Sequence, residues 1–90
     1  MKFSLKSTKA FEKDMKRISK SGKDLQKLQK IVAAIANAEG LAAKHRPHKL
    51  SGNWAGAWEC HVEPDWLLIW YQTEDTIILE RTGSHANLFN

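Results

Sequence analysis

The sequence predicts an α+β fold with the element order β-α-α-β-β-β. Between residues 11 and 35, apolar residues recur every three or four positions, as in amphipathic helices. Between residues 58 and 81 they alternate with polar residues or form short continuous runs, as in strands. We therefore expect a helical hairpin packed on one face of a small, antiparallel-type sheet.

A short strand is expected at the start of the chain, because Phe3 and Leu5 alternate with polar residues. Ser7 and Thr8 then supply hydroxyl groups of the kind that cap the start of a helix. The first helix carries an apolar stripe at helical spacing, formed by Phe11, Met15 and Ile18.

A second helix is predicted after the Ser-Gly break at residues 21–22. Ser21 and Asp24, three residues apart, fit a capping box, and Gly40 is an expected end of this helix. Residues 41–53 have the composition of a loop. The apolar stripe of the second helix consists of Leu25, Leu28, Val32 and Ile35.

The second half of the chain predicts three consecutive strands. Glu59 and His61 should lie on the uncovered face of the sheet, because side chains alternate along a strand. The alternating apolar residues should face the helices; they are Trp58, Cys60 and Val62. The other two strands and the turns before them follow in order: a turn at 63–65, a strand at 66–71, a turn at 72–75 and a strand at 76–81.

Length and composition restrict the class of protein. Ninety residues are enough for one domain with a modest core, so we expect a single domain over residues 1–90. The apolar runs are far shorter than the roughly 20 residues of a membrane span, and the first residues do not form a signal peptide. Cys60, the single cysteine, cannot form an internal disulfide. Together these features favour a cytoplasmic protein.

Charge is distributed unevenly along the chain. Residues 1–50 hold 13 of the 14 lysine and arginine residues, and their net charge is +9. Residues 51–90 hold one arginine and six acidic residues. A basic half suggests a polyanionic partner, either a nucleic acid or a negatively charged protein, although a solvated lysine-rich helix surface has the same composition.

Candidate catalytic residues follow the loop and flank the predicted strands. They include three histidines, one carboxylate and one arginine: His48, His61, His85, Asp65 and Arg81. Histidine exchanges protons near neutral pH, arginine binds phosphate through two parallel hydrogen bonds, and an aromatic ring such as that of Phe89 can stack on a base. This set suits RNA cleavage, in which a ribose 2′-hydroxyl attacks the adjacent phosphorus without a metal ion.

Other uses of these residues are also consistent with the sequence. His45 and His48, together with Cys60 and His61, contain zinc-ligand types, but no Cys-x-x-Cys pair is present and adjacent strand residues point to opposite faces. We therefore expect no metal site and no cofactor. Arg81 can instead form surface ion pairs, and Phe89 can fill the core.

Three segments of the sequence resemble the YafQ branch of the RelE/ParE toxin superfamily. They are RPHKLSGNW (46–54), HVEPDW (61–66) and ERTGSHANLF (80–89). The resemblance implies a bacterial mRNA interferase of a type II toxin–antitoxin module, which cuts translated mRNA in the ribosomal A site by 2′-hydroxyl attack. It places the catalytic residues of the family on His48, His61, Asp65, Arg81, His85 and Phe89.

The same resemblance implies the partners of the protein. These are an inhibitory antitoxin, the ribosome and mRNA, without a membrane or a small-molecule cofactor. We expect RNA contacts from the basic loop and from the HVEPDW motif, at Lys44, Arg46, Lys49 and Trp66. Two alternatives remain at this point: a ParE-like inhibitor of DNA gyrase without enzymatic activity, and a catalytically inactive module that binds nucleic acid.

Overall fold

The computed structural model describes residues 2–89 and has an α+β architecture, as predicted. Two helices, α1 (Lys9–Lys20) and α2 (Leu25–Ala36), pack on a five-stranded sheet. A five-residue helix, α3 (His85–Phe89), ends the described chain. The strands are β1 (Ser4–Ser7), β2 (His48–Lys49), β3 (Trp58–Glu63), β4 (Trp66–Gln72) and β5 (Thr76–Gly83).

The sheet has the order β1-β5-β4-β3-β2 and is mixed, whereas the sequence predicted an antiparallel-type sheet. Strands β2 to β5 form an antiparallel meander, but β1 runs parallel to β5, with Ser4 opposite Thr76 and Ser7 opposite Leu79. The two helices carry the chain from β1, at one edge of the sheet, to β2, at the opposite edge. The antiparallel meander of β2 to β5 then crosses back, and β5 pairs with β1 in the parallel direction.

Both helix starts are capped by side chains. The Thr8 hydroxyl accepts a hydrogen bond from the Phe11 amide, as the sequence predicted. The predicted capping box of the second helix is wrong: Asp24 alone caps α2, and Ser21 ends α1, with its hydroxyl donating to the Ile18 carbonyl. Helix α2 also ends before Gly40, because Ala38 has a positive φ of 57°.

The main core lies between the helices and the sheet. As predicted, alternate residues of β3 face this core, with Cys60 and Val62 buried and Trp58 half-buried. The helices contribute buried apolar residues at helical spacing: Phe11, Ile18, Leu28, Ile31 and Ile35. None of the helices in residues 2–89 has the length and apolar character needed to cross a membrane.

The opposite face of the sheet is partly covered, contrary to the sequence prediction. A second cluster consists of Ala57, Leu67, Ile69 and Leu88, with Leu50, Trp54 and Tyr71 packed against it. Helix α3 and the segment before β3 therefore shield part of this face. Glu59 is only 5% exposed, although its alternation with the core residues had suggested a solvent-facing position.

We expect Thr82→Val to lower the free energy of unfolding by about 1–3 kcal/mol, because it leaves a buried donor without an acceptor. The Trp66 indole Nε1 donates to the Thr82 hydroxyl (2.9 Å), which in turn donates to the Leu67 carbonyl (2.7 Å). Urea denaturation followed by circular dichroism measures the loss. Thr76→Val, at the half-buried start of β5, is the matched control. Equal stability of the two variants would contradict the prediction.

Candidate active site

Asp65 and His85 form the centre of the candidate site. Asp65 lies in the turn between β3 and β4, and His85 is the first residue of α3. The His85 backbone amide donates to Asp65 Oδ1 (2.9 Å), and His85 Nδ1 lies 2.6 Å from the same oxygen. One carboxylate oxygen thus holds both the backbone and the ring of His85.

The Asp65 pKa is lowered by hydrogen bonds from the His85 backbone amide and side chain. The carboxyl group is therefore ionised at neutral pH, and an ionised carboxylate can only accept hydrogen bonds. It follows that His85 Nδ1 carries a proton in this contact. The other ring nitrogen, Nε2, is left for exchange with a substrate, and both side chains are more than half exposed.

Two further rings flank His85. Its ring centroid lies 5.9 Å from that of His61 and 6.3 Å from that of Phe89, and both pairs are tilted. The His61 Nδ1 lies 3.2 Å from the Pro64 carbonyl oxygen, to which it can only donate, so the neutral ring presents Nε2 as an acceptor. Phe89 is 44% exposed and does not fill the core. The structure therefore brings together four of the six predicted catalytic residues.

His48 lies at the other side of the sheet, on β2. Its Nδ1 lies 2.7 Å from the Arg46 carbonyl oxygen, and its Nε2 lies 3.3 Å from Glu59 Oε1. His48 pairs with Glu59 across β2 and β3, and the same row continues through Ile69 to Arg81. Because adjacent strands are about 4.8 Å apart, His48 and Arg81 lie roughly 14 Å apart along this row. Sequence reasoning did not include Glu59 in the site.

Arg81 is bound by a residue that the sequence analysis did not single out. Its Nε donates to Asp14 Oδ2 (2.6 Å) and its Nη2 donates to Asp14 Oδ1 (3.1 Å). Asp14 belongs to α1 and is 2% exposed. Arg81 is therefore part of an ion pair within the protein, while 26% of its side chain remains exposed.

The predicted RNA-binding residues divide into two groups. Lys44, Arg46 and Lys49 are exposed, and the first two line an open cleft of about 600 Å³ together with His61. The prediction for Trp66 is wrong, because this side chain is fully buried in the main core and cannot contact RNA. Strand β4 is apolar on both faces, so alternation alone did not indicate which of its residues are accessible.

His45, whose role the sequence left open, supports the neighbouring strand. Its Nδ1 lies 2.6 Å from the His61 carbonyl oxygen, so it connects the basic loop to β3. Cys60 is fully buried, and burial raises the pKa of its thiol to about 12. It is therefore a poor zinc ligand and a poor nucleophile. Within residues 2–89, no three His, Cys, Asp or Glu side chains cluster as a metal site would require.

Comparison with known proteins assigns residues 3–90 to the family described as "Bacterial toxin of type II toxin-antitoxin system, YafQ". The chain is 42% identical over 80 residues to the mRNA interferase toxin YafQ of Escherichia coli K12, covering 88% of this chain and 87% of that protein.

Solved structures of similar proteins agree with this assignment. The crystal structure of YafQ from E. coli BL21(DE3) superposes with a TM-score of 0.93 at 36% identity, covering 98% of this chain and 99% of that one. YafQ in the E. coli DinJ–YafQ toxin–antitoxin complex gives 0.91 at 36% identity over the full length of both chains. A metal-bound toxin from Helicobacter pylori gives 0.91 at 39% identity, covering 97% of this chain and 99% of that one.

The buried ion pair predicts how stability depends on pH. Burial opposes ionisation of Asp14, but hydrogen bonds from Arg81, Arg17 and the Thr82 amide outweigh it and lower the pKa of Asp14. A lowered pKa in the folded state adds stability above the unfolded value of about 3.9, and this stability is lost as the pH falls through the folded value.

We therefore expect Asp14→Asn to be less stable by about 2–4 kcal/mol at pH 7 and to lose less of its stability than the wild type below about pH 4. Urea denaturation at pH 7, 5, 4 and 3 measures both effects. Glu74→Gln is the control, because Glu74 is an exposed carboxylate in the turn before β5 and its removal should leave the stability curve unchanged. Parallel stability curves for Asp14→Asn and the wild type would contradict the expectation.

Proposed function

The chain belongs to the YafQ family of bacterial type II toxin–antitoxin toxins, and on this basis we propose that it is an mRNA interferase that cuts translated mRNA in the ribosomal A site. The observation that carries the proposal is the Asp65–His85 pair, flanked by the rings of His61 and Phe89. These groups can exchange protons, as acid–base catalysis of RNA strand cleavage requires, and the Phe89 ring can bind the RNA by stacking on a base.

The reaction is an attack of a ribose 2′-oxygen on the adjacent phosphorus. A base removes the 2′-hydroxyl proton, the new P–O bond forms, and the bond from phosphorus to the 5′-oxygen breaks. An acid donates a proton to the departing 5′-oxygen. The products are a 2′,3′-cyclic phosphate and a 5′-hydroxyl, and the step needs no metal ion.

We assign the acid to His85 and the base to His61. Asp65 holds His85 Nδ1, so Nε2 of the protonated ring is the atom that delivers a proton to the leaving oxygen. His61 donates through Nδ1 to the Pro64 carbonyl, which leaves Nε2 of the neutral ring as an acceptor. The 5.9 Å between the two ring centroids is consistent with a phosphate group that bridges them.

Arg81, Phe89 and His48 complete the proposed site. Arg81 stabilises the charge that develops on the phosphate oxygens, because its guanidinium group stays charged and can donate two parallel hydrogen bonds. The exposed ring of Phe89 provides a surface on which a base of the mRNA stacks. His48, paired with Glu59 across the sheet, contacts the RNA farther from the scissile bond.

The basic half of the chain supports binding to the ribosome. Lys44, Arg46 and Lys49 are exposed, and the first two line a cleft together with His61 of the proposed site. All three can contact phosphate groups without reading the sequence. A ribosomal target implies a cytoplasmic protein, and we propose that residues 1–90 act as one toxin domain.

The E. coli relative is found in a complex with DinJ, so we also propose an antitoxin that inhibits this chain, with acidic residues facing its basic half.

We expect His85→Ala and Arg81→Ala each to lower the cleavage rate by about 10²–10⁴-fold, because they remove the acid and the phosphate-binding cation. The measurement is primer extension on a reporter mRNA in a reconstituted translation mixture, with and without ribosomes. Wild-type protein should cut only when ribosomes translate the message. Glu74→Ala, in the exposed turn before β5, should cut at the wild-type rate.

Two outcomes would contradict the proposed function. If the message stays intact with folded wild-type protein, the chain is not an interferase, and inhibition of DNA gyrase should then be assayed. If His85→Ala cuts at the wild-type rate, the Asp65–His85 pair is not the catalytic centre.

A further inference from the structure

Asp14 is a buried carboxylate that the proposed reaction does not use directly. It lies on the sheet-facing side of α1 and accepts four hydrogen bonds. Two come from Arg81, one from Arg17 Nη1 (2.7 Å) and one from the Thr82 backbone amide (3.1 Å). This number of donors satisfies both oxygens of the carboxylate and fixes its orientation. A carboxylate that is held in one orientation can in turn hold the side chain that it binds in one orientation.

The charges around Asp14 leave a net positive charge. Asp14 contributes −1 and the two arginines together contribute +2, so the cluster carries +1 when all three groups are ionised. The lowered pKa of Asp14 and the raised pKa of Arg81, which the Asp14 hydrogen bond causes, keep them ionised at neutral pH. The Asp14–Arg81 pair alone would be neutral. Because Arg17 adds a second positive charge, the cluster still attracts a negatively charged phosphate group.

The geometry of the guanidinium group shows which part of Arg81 is available. A guanidinium group has five N–H donors in a planar fork. The edge formed by Nε and Nη2 is bound to Asp14, and Arg81 makes no other side-chain hydrogen bond within residues 2–89. The adjacent edge at the end of the group, formed by Nη1 and the second Nη2 hydrogen, can still bind two phosphate oxygens.

We propose that Asp14 is a positioning residue for Arg81: it holds the guanidinium by one edge and thereby presents the other edge to the scissile phosphate. The inference rests on the proposed function, because it assumes that Arg81 acts on the phosphate. It adds a residue of α1, 67 positions away in sequence, to the machinery of the site.

Asp14 does not require Arg81 for its own neutralisation. Arg17 and the Thr82 amide still donate to Asp14 when Arg81 is removed, and Arg17 Nη2 also donates to the Thr82 carbonyl (2.9 Å). Folding and the proposed catalytic role can therefore be separated by experiment, since Arg81→Ala keeps a counterion for the buried carboxylate.

The test is a double-mutant cycle on the single-turnover cleavage of ribosome-bound mRNA. Asp14→Asn should reduce the rate by about 10–100-fold, because a small displacement of a catalytic group has effects of this size. In an Arg81→Ala background, the same change should have no further effect, since Asp14 acts only through Arg81. An additional loss in the double variant, or a wild-type rate for folded Asp14→Asn, would overturn the inference.

Arg81→Lys provides a second test that does not depend on the folding of Asp14→Asn. Lysine keeps the positive charge but has no planar fork with which to bind Asp14 through one edge and phosphate through another. We expect it to cut nearly as slowly as Arg81→Ala. A wild-type rate for Arg81→Lys would overturn the inference, because a fixed guanidinium fork would then be unnecessary.

A control variant and the pattern of results distinguish a failure of this inference from a failure of the proposed function. Asp24→Ala removes the side-chain cap of α2 without touching Arg81, so it should keep the wild-type rate under conditions in which it is folded. If wild-type protein leaves the message intact, both proposals fail. If Arg81→Ala loses activity but folded Asp14→Asn does not, the positioning role alone fails.

Discussion

The attachment of α1 to β5 through the Asp14 carboxylate is the interaction on which the arrangement of the molecule depends. It joins the helical layer to the strand that carries Arg81, and it does so inside the protein, where solvent and salt screen charges least. An unpaired carboxylate at this position would be strongly destabilising. The same contact therefore secures the fold and sets the direction of the one arginine that follows residue 50.

The rest of the candidate site is assembled from elements that have little stability of their own. Helix α3 is five residues long, far below the length at which an isolated helix is stable. Contacts with the rest of the protein hold it: Leu88 packs in the second apolar cluster, and Asp65 contacts both the amide and the ring of His85. The Asp65 carboxylate that orients the His85 ring thus also holds the helix that carries this ring. A substitution of Asp65 would therefore affect both the position of α3 and the orientation of the histidine.

Hydrophobic periodicity was sufficient to predict the two helices and the meander. The chemical types of the side chains and the family resemblance gave six candidate residues, of which the structure brings together His61, Asp65, His85 and Phe89. Periodicity was less informative about the accessibility of single side chains and about their partners in distant parts of the sequence. Trp66 begins a strand that is apolar on both faces, and only the packed structure shows that its ring is inaccessible. Asp14 stands between Phe11 and Ile18 at helical spacing, so its position in the buried stripe was visible. Its partner, 67 residues away, was not.

The parallel pairing of β1 with β5 has a consequence for synthesis of the protein. The first strand has no neighbour in the sheet until the last strand exists, and Asp14 has no Arg81 until the same strand is made. Contacts between such distant parts of a chain form late in folding. A nascent chain that stops before β5 can build neither the sheet edge nor the candidate active site. The last strand must therefore be synthesised before the protein can adopt the structure on which its proposed activity depends.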